Sequence, residues 1–131
     1  MENKKISIKH IKPAFEDQRG AIHDILDDEN ILHIGLITSK KGAVRGNHYH
    51  NKAKQFNYVL KGKAEFLSKD SEDPNAKTEK NIIKEGDFIS IPPKVIHTII
   101  ALEDFEFLDF HDFSRTDNGY EKDVIRVDIT K

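Results

Sequence analysis

Cysteine and tryptophan are absent from this chain of 131 residues, and there is a single methionine. Without cysteine there is no disulfide framework and no thiolate chemistry. Neither sign of charge prevails: 21 basic residues stand against 23 acidic ones, for a formal charge of -2. That balance lacks the basic footprint of a nucleic-acid binder, so no nucleic-acid partner is expected. No apolar run approaches the roughly 20 residues that span a bilayer, so no membrane partner is expected either. The opening Met1-Glu2-Asn3-Lys4-Lys5-Ile6 has no apolar signal-peptide core. These absences lead to the expectation of one cytoplasmic, soluble domain over residues 1–131. Its length suffices for a core, although small barrels often gain stability by dimerising.

Also missing are internal repeats, low-complexity tracts and any clear long amphipathic helix. What the chain has instead is short runs rich in Ile, Val and Phe, bounded by Gly, Pro, Asn or Asp. The pattern predicts strands over Ile6–Ile11, Ala21–Leu26, Leu32–Thr38, Ala43–His50, Gln55–Lys61, Lys63–Ser68, Lys77–Ile83, Phe88–Ile91, Val95–Ala101, Phe105–Asp112 and Lys122–Val127. Lys61-Gly62-Lys63 and Glu85-Gly86-Asp87 read as tight reversals. The polar stretch from Asp70 to Lys77 reads as a hairpin tip. Many short strands with regular turn signals imply an all-β barrel or double-sheet jelly roll.

The chemistry is concentrated in two segments. The first runs Gly42-Ala-Val-Arg45-Gly-Asn-His48-Tyr-His50 and continues through Gln55 to Gly62. The second is Gly86-Asp-Phe-Ile-Ser-Ile-Pro92-Pro93-Lys-Val-Ile-His97. Side chains alternate along a strand, so His48 and His50 share a face. With Gln55 and His97 they supply three imidazoles and one amide oxygen. Imidazole suits first-row transition metals, and such a set leaves coordination positions open for water or substrate. Fe, Mn, Ni, Zn and Cu all fit that donor set. A neutral glutamine offsets less of the metal's charge than a carboxylate, which predicts weaker binding and a stronger Lewis acid. The same residues also suit metal-free acid/base work at a carbon alpha to a carbonyl. Both readings stand at this point. His10, His23, His33 and His111 lie outside the two segments and are read as structural or surface residues. Phe88, Ile89 and Ile91 read as core, and Tyr58 faces away from Gln55.

These two segments resemble the paired motifs of the cupin superfamily, whose fold is a double-stranded β-helix, or jelly-roll barrel. Gly42, His48, His50 and Gly62 fit the first motif, with Gln55 where metal-binding cupins mostly carry glutamate. Gly86, Pro92 and His97 fit the second, with Lys94 at a usual glycine and Ala101 at a usual asparagine. The resemblance covers residues 42–101. A second resemblance is narrower. Phe15-Glu-Asp17-Gln-Arg19-Gly20, Arg45-Gly-Asn-His48-Tyr49 and Pro92-Pro93 with His97 are similar to segments of the dTDP-4-dehydrorhamnose 3,5-epimerases. Arg45 to Gln55 also looks like the Arg-Gly-x-His-x-His segment of the sugar-nucleotide 3,4-ketoisomerases.

The resemblance implies an isomerase or epimerase acting on a keto-sugar nucleotide in polysaccharide biosynthesis. His48 would be its general base, with His50 beside it as a further catalytic group. His50, Gln55 and His97 would bind metal or polarise the carbonyl, and His48 joins them in the full candidate metal set. Arg19 and Arg45 would bind the substrate through its phosphates, since a guanidinium fork matches phosphate oxygens. A homodimer is expected, with N-terminal edge strands as the place of pairing. The strand before the first motif lacks the ketoisomerases' tyrosine, so Tyr49, Tyr58 or Tyr120 would have to replace it. Two alternatives remain from other classes. One is a metal-dependent dioxygenase. The other is a non-catalytic module that binds a sugar or a metal.

Overall fold

The computed structural model describes residues 4–130. Twelve strands form two five-stranded antiparallel sheets and one separate hairpin. In the first sheet, β1 (Ser7–His10), β9 (Asp87–Ile91), β6 (Gln55–Lys61), β11 (Phe105–His111) and β4 (His33–Ser39) lie side by side in that order. The second has the order β12 (Val124–Arg126), β5 (Val44–His50), β10 (Val95–Ala101), β7 (Lys63–Asp70) and β8 (Glu79–Lys84). This is the cupin jelly roll. The hairpin pairs β2 (Phe15–Asp17) with β3 (Gly20–Ile22). Among the described residues no helix is long and apolar enough to cross a membrane.

The two-residue period of the strands decides what goes inside. Val59, Ile89, Ile91, Phe105 and Phe107 of the first sheet meet Ala64, Phe66, Ile83, Ile99 and Ala101 of the second in one core. Residues of opposite parity on the first sheet form a second cluster on its outer face: Phe56, Phe88 and Phe110, with Tyr58 and Leu108. Ile25, Leu26 and Ile31 cover it. β11 is therefore packed on both faces, as its run of aromatics requires. Gly62 turns β6 into β7 with φ +86, and a Cβ there would lie 2.3 Å from the carbonyl oxygen of Asp104. Only glycine fits that reversal.

Many strand ends lie one or two residues from the sequence reading, and three differences have a clear local cause. The strand expected over Ala21–Leu26 stops at Ile22, because residues beyond it leave the ladder to cap the outer face of the first sheet. The strand expected from Lys122 begins at Val124, because Gly119–Asp123 closes into the short helix α1. β2 was not anticipated. Its turn is fixed by Asp17, whose carboxylate accepts from the Arg19 backbone N–H at 2.9 Å.

Phe66 is fully buried at the centre of the core. Truncating it removes apolar contact and leaves a cavity that closed barrel walls relax around only in part. Phe66→Ala is expected to lower unfolding stability by about 3–5 kcal/mol in urea denaturation.

Candidate active site

The interior of the barrel is apolar at one end and polar at the other. Along β6 the inward residues run Gln55, Asn57, Val59; along β11 they run His111, Asp109, Phe107, Phe105. The register sets Asn57 opposite Asp109 and Gln55 opposite His111. On the facing sheet, His97 lies inward on β10 with Ile99 and Ala101. The polar end encloses a cavity of about 180 Å³ whose walls include Arg45, His48, Gln55, His97, Asp109 and Tyr120.

A β-bulge places His48. On β10, His97 pairs with His48 while the next residue, Thr98, pairs with Gly46, so Asn47 is the extra residue. Gly46 and Asn47 both take left-handed backbone, with φ 94 and 54. A Cβ on Gly46 would meet the His97 carbonyl oxygen at 2.6 Å, so a side chain there is excluded. Asn47 is held by its own side chain, whose Oδ1 accepts from Thr98 Oγ1 at 2.7 Å and from the Ile129 N–H at 3.0 Å. The bulge changes the parity of β5. Arg45 and His48 are three residues apart, yet both line the cavity.

His48, His50 and His97 offer nitrogens within 4.8 Å of one another. The ring centroids of His48 lie 5.0 Å from His50 and 4.8 Å from His97. His50 and His97 are buried. His97 Nδ1 lies 3.1 Å from the Val95 carbonyl oxygen and donates to it, which leaves Nε2 with its lone pair. That Nε2, both nitrogens of His50, His48 Nδ1 and Gln55 Oε1 are buried without a hydrogen-bond partner. Burial above all, then the neighbouring His97 and His50, pushes the His48 imidazole down to about 3. Burial and His97 push His50 down to about 4. His97 is lowered too, by burial. All three are neutral lone-pair bearers at neutral pH.

The three histidines, with nitrogens this close together and lone pairs left bare, fit a divalent cation. His33, Asp109 and His111 also bring ligand atoms within 4.8 Å. The His33 and His111 rings, however, stack 8° from parallel at 4.5 Å. Two parallel rings share no in-plane point, so they cannot aim two lone pairs at one ion.

Arg45 lines the cavity but spends two donors on β4: Nε to Ser39 Oγ and an η nitrogen to the Thr38 carbonyl, each at 2.7 Å. It thereby ties β5 to β4 where the two sheets meet. Arg19 is not brought to this cavity. It stands on the exposed hairpin turn, ion-paired to Asp17 at 2.7 Å.

Three residues of the polar end were missed in the sequence. Asn57 was legible as the same-face neighbour of Gln55. Asp109 carried a signal as well, being a carboxylate in step with Phe105 and Phe107 on the inward face of a strand rich in phenylalanine. Burial alone would raise it, but the His111 ring close to it and the hydrogen bonds from Gln55 and Asn57 hold it below the usual carboxylate range. His111, read as structural, sits fully buried with Nε2 3.0 Å from Asp109 Oδ2, at ion-pair distance but without hydrogen-bond alignment. Of the three tyrosines considered, Tyr120 alone lines the cavity. It comes from α1, stacks on His111 at 4.4 Å and leans on His50 at 4.9 Å. Burial, then Asp109, pushes its phenol up to about 12. No strand pattern could have revealed this, since α1 was read as loop and strand.

A family model described as Polysaccharide biosynthesis C-terminal domain matches residues 15–113. The chain belongs to that family. Solved structures share the fold. The dTDP-4-dehydrorhamnose 3,5-epimerase of Sulfolobus tokodaii superposes with TM-score 0.69 at 24% identity, over 87% of this chain and 76% of that one. ChmJ, a 3'-monoepimerase of Streptomyces bikiniensis crystallised with dTDP-quinovose, gives 0.80 at 14%, over 98% and 72%. QdtA, a sugar 3,4-ketoisomerase of Thermoanaerobacterium thermosaccharolyticum crystallised with TDP, gives 0.69 at 22%, over 92% and 87%. Identities this low establish the fold. No protein of curated function matches the sequence.

Neutral buried histidines make this polysaccharide-biosynthesis domain sensitive to acid. Unfolded histidines protonate near pH 6.5, whereas His48 and His50 wait until about 3 and 4. Between those limits the unfolded state binds more protons, so stability drops as pH falls below about 6.5. Each histidine adds a slope of up to about 1.4 kcal/mol per pH unit. Denaturation midpoints from pH 7 to pH 5 are expected to show this decline, and His50→Gln to flatten it.

Proposed function

We propose that the chain is an isomerase or epimerase acting on a keto-sugar nucleotide in polysaccharide biosynthesis. The observation that carries this reading is the composition of one cavity. Its lining brings together a neutral imidazole, His48, a protonated phenol, Tyr120, and the guanidinium of Arg45. Moving a proton alpha to a carbonyl needs one group that accepts and another that returns it. His48 takes the proton through its lone pair. An imidazole held this low is a weak base in the empty cavity. It gains proton affinity as negative charge grows on the substrate oxygen beside it, so base strength is coupled to enolate formation. Tyr120 keeps its proton at every working pH and returns it to the intermediate, replacing the tyrosine absent from β4. The volume suits a sugar ring and little more, so the nucleotide must lie outside. The donors of Arg45 not used on β4 would suit a phosphate there. Arg19 would serve the substrate only from outside this cavity.

We further place a divalent transition metal ion at His50, Gln55 and His97, with His48 near enough to join it. When bound, the ion would polarise the keto oxygen. Histidine and amide donors are compatible with Fe, Mn, Ni, Zn or Cu. A charged nucleotide sugar and a chain without cysteine both suit the cytoplasm. For the homodimer, β4 is an edge strand whose outward Ile34 and Leu36 are exposed, and a second copy of the chain would cover them.

The test is proton exchange. Incubated in D₂O with dTDP-4-keto-6-deoxyglucose, the protein is expected to place deuterium next to the carbonyl, followed by proton NMR. His48→Ala should slow this by about 10²–10⁴-fold, the usual worth of a positioned base. Tyr120→Phe should spare the initial abstraction and slow formation of the rearranged product. No exchange by the wild type, with or without added metal, rejects the reading. The unpartnered nitrogens would equally suit a metal-dependent dioxygenase, and oxygen uptake in the same sample would reveal it.

A further inference from the structure

Asp109 is a buried carboxylate in the wall of the cavity for which the proposed reaction has no use. Its surroundings are specific. Oδ1 accepts from Gln55 Nε2 at 2.6 Å and from Asn57 Nδ2 at 2.7 Å. Asn57 is itself anchored to the Phe56 carbonyl at 3.0 Å. Oδ2 faces His111 Nε2 at 3.0 Å. Both donors to Oδ1 come from β6, two residues apart, while Asp109 belongs to the adjoining strand β11.

This arrangement settles which way the Gln55 amide points. An ionised carboxylate only accepts, so the group beside it must be the NH₂ and not the oxygen. Turning the amide over would set two oxygens against each other at 2.6 Å. Gln55 Oε1 is then left buried with no partner, in a cavity that also holds the bare Nε2 of His97. The two groups are oriented in the same manner. His97 is turned by the Val95 carbonyl behind it, and Gln55 by Asp109 behind it. In both, the donor atoms are used on the protein and the lone pair is left for the cavity.

We propose that Asp109 is a positioning residue that locks Gln55 with its carbonyl oxygen toward the histidines, making it an oxygen ligand for a divalent cation. The inference rests on the ion-binding part of the function proposed above. It adds that the ligand set is arranged from β11, by a residue outside both histidine segments. Partners that orient a ligand commonly change metal affinity by about 10–100-fold when removed.

Zn²⁺ affinity, measured by competition with a chromophoric chelator, separates orientation from charge. Asp109→Leu removes the acceptor at similar volume and is expected to weaken binding by about 10–100-fold. Asp109→Asn keeps an oxygen facing both amides and should retain most of the affinity. With Co²⁺ as the probe, Asp109→Leu should also change the visible absorption bands, whereas Asp109→Asn should not. Unchanged affinity in Asp109→Leu overturns the proposal, as does an equal loss in both variants. Should Asp109→Leu fail to fold, wild-type NMR decides. The Gln55 side-chain amide signals are expected to move in step with the histidine ring nitrogens as Zn²⁺ is added. Histidine shifts with a silent Gln55 reject this inference and leave the ion site standing. No Zn²⁺ binding by the wild type rejects both, while deuterium exchange still judges the sugar reading independently.

Discussion

The bulge at Gly46 and Asn47 is the constraint on which the site depends. An unbroken strand would put Arg45 and His48 on opposite faces, one inside the barrel and one outside. One added residue reverses the parity of everything after it, and only a residue without Cβ passes the His97 carbonyl at Gly46. The Asn47 side chain then carries the cost of the irregular backbone, bonding both to β10 and to the segment beyond β12. Disturbing this bulge would move the base, the guanidinium and the C-terminal segment at once.

Division of labour inside the barrel follows from the same alternation. Phe66, Phe105, Val59 and Ile83 supply the apolar half, where burial alone is stabilising. The other half holds histidines, amides and a carboxylate, each buried at a cost unless partnered. Asp109 meets that cost for its neighbours on β6, but the atoms facing the cavity are left unpartnered. Stability in one half thus supports a destabilised, reactive half in a single closed sheet structure.

How far the sequence disclosed all this depended on the range of the signal. His48, His50, Gln55 and His97 were legible because strand parity and two glycine-bounded segments are local properties. The strands β6 and β10 appeared with their observed ends, since Gly62 and Pro93 punctuate them sharply. Asp109 left only a local trace, its place in step with Phe105 and Phe107, and Tyr120 was one of three tyrosines that the sequence could not tell apart. Their places come from register between strands far apart in sequence and from a short helix folding back over the barrel. Lys94 illustrates a departure that the fold absorbs. It stands at a position with φ 72, where the motif favours glycine, and its backbone N–H is held by the His50 carbonyl at 2.8 Å.

Tyr120 lies against His50 and His111, with the Arg115 guanidinium 4.6 Å from its ring centroid. Burial is what depresses His50 most, and part of that burial is this one ring. The ring that shuts solvent away from His50 thus also helps to keep that imidazole neutral, and removing it would wet the imidazole and raise its proton affinity.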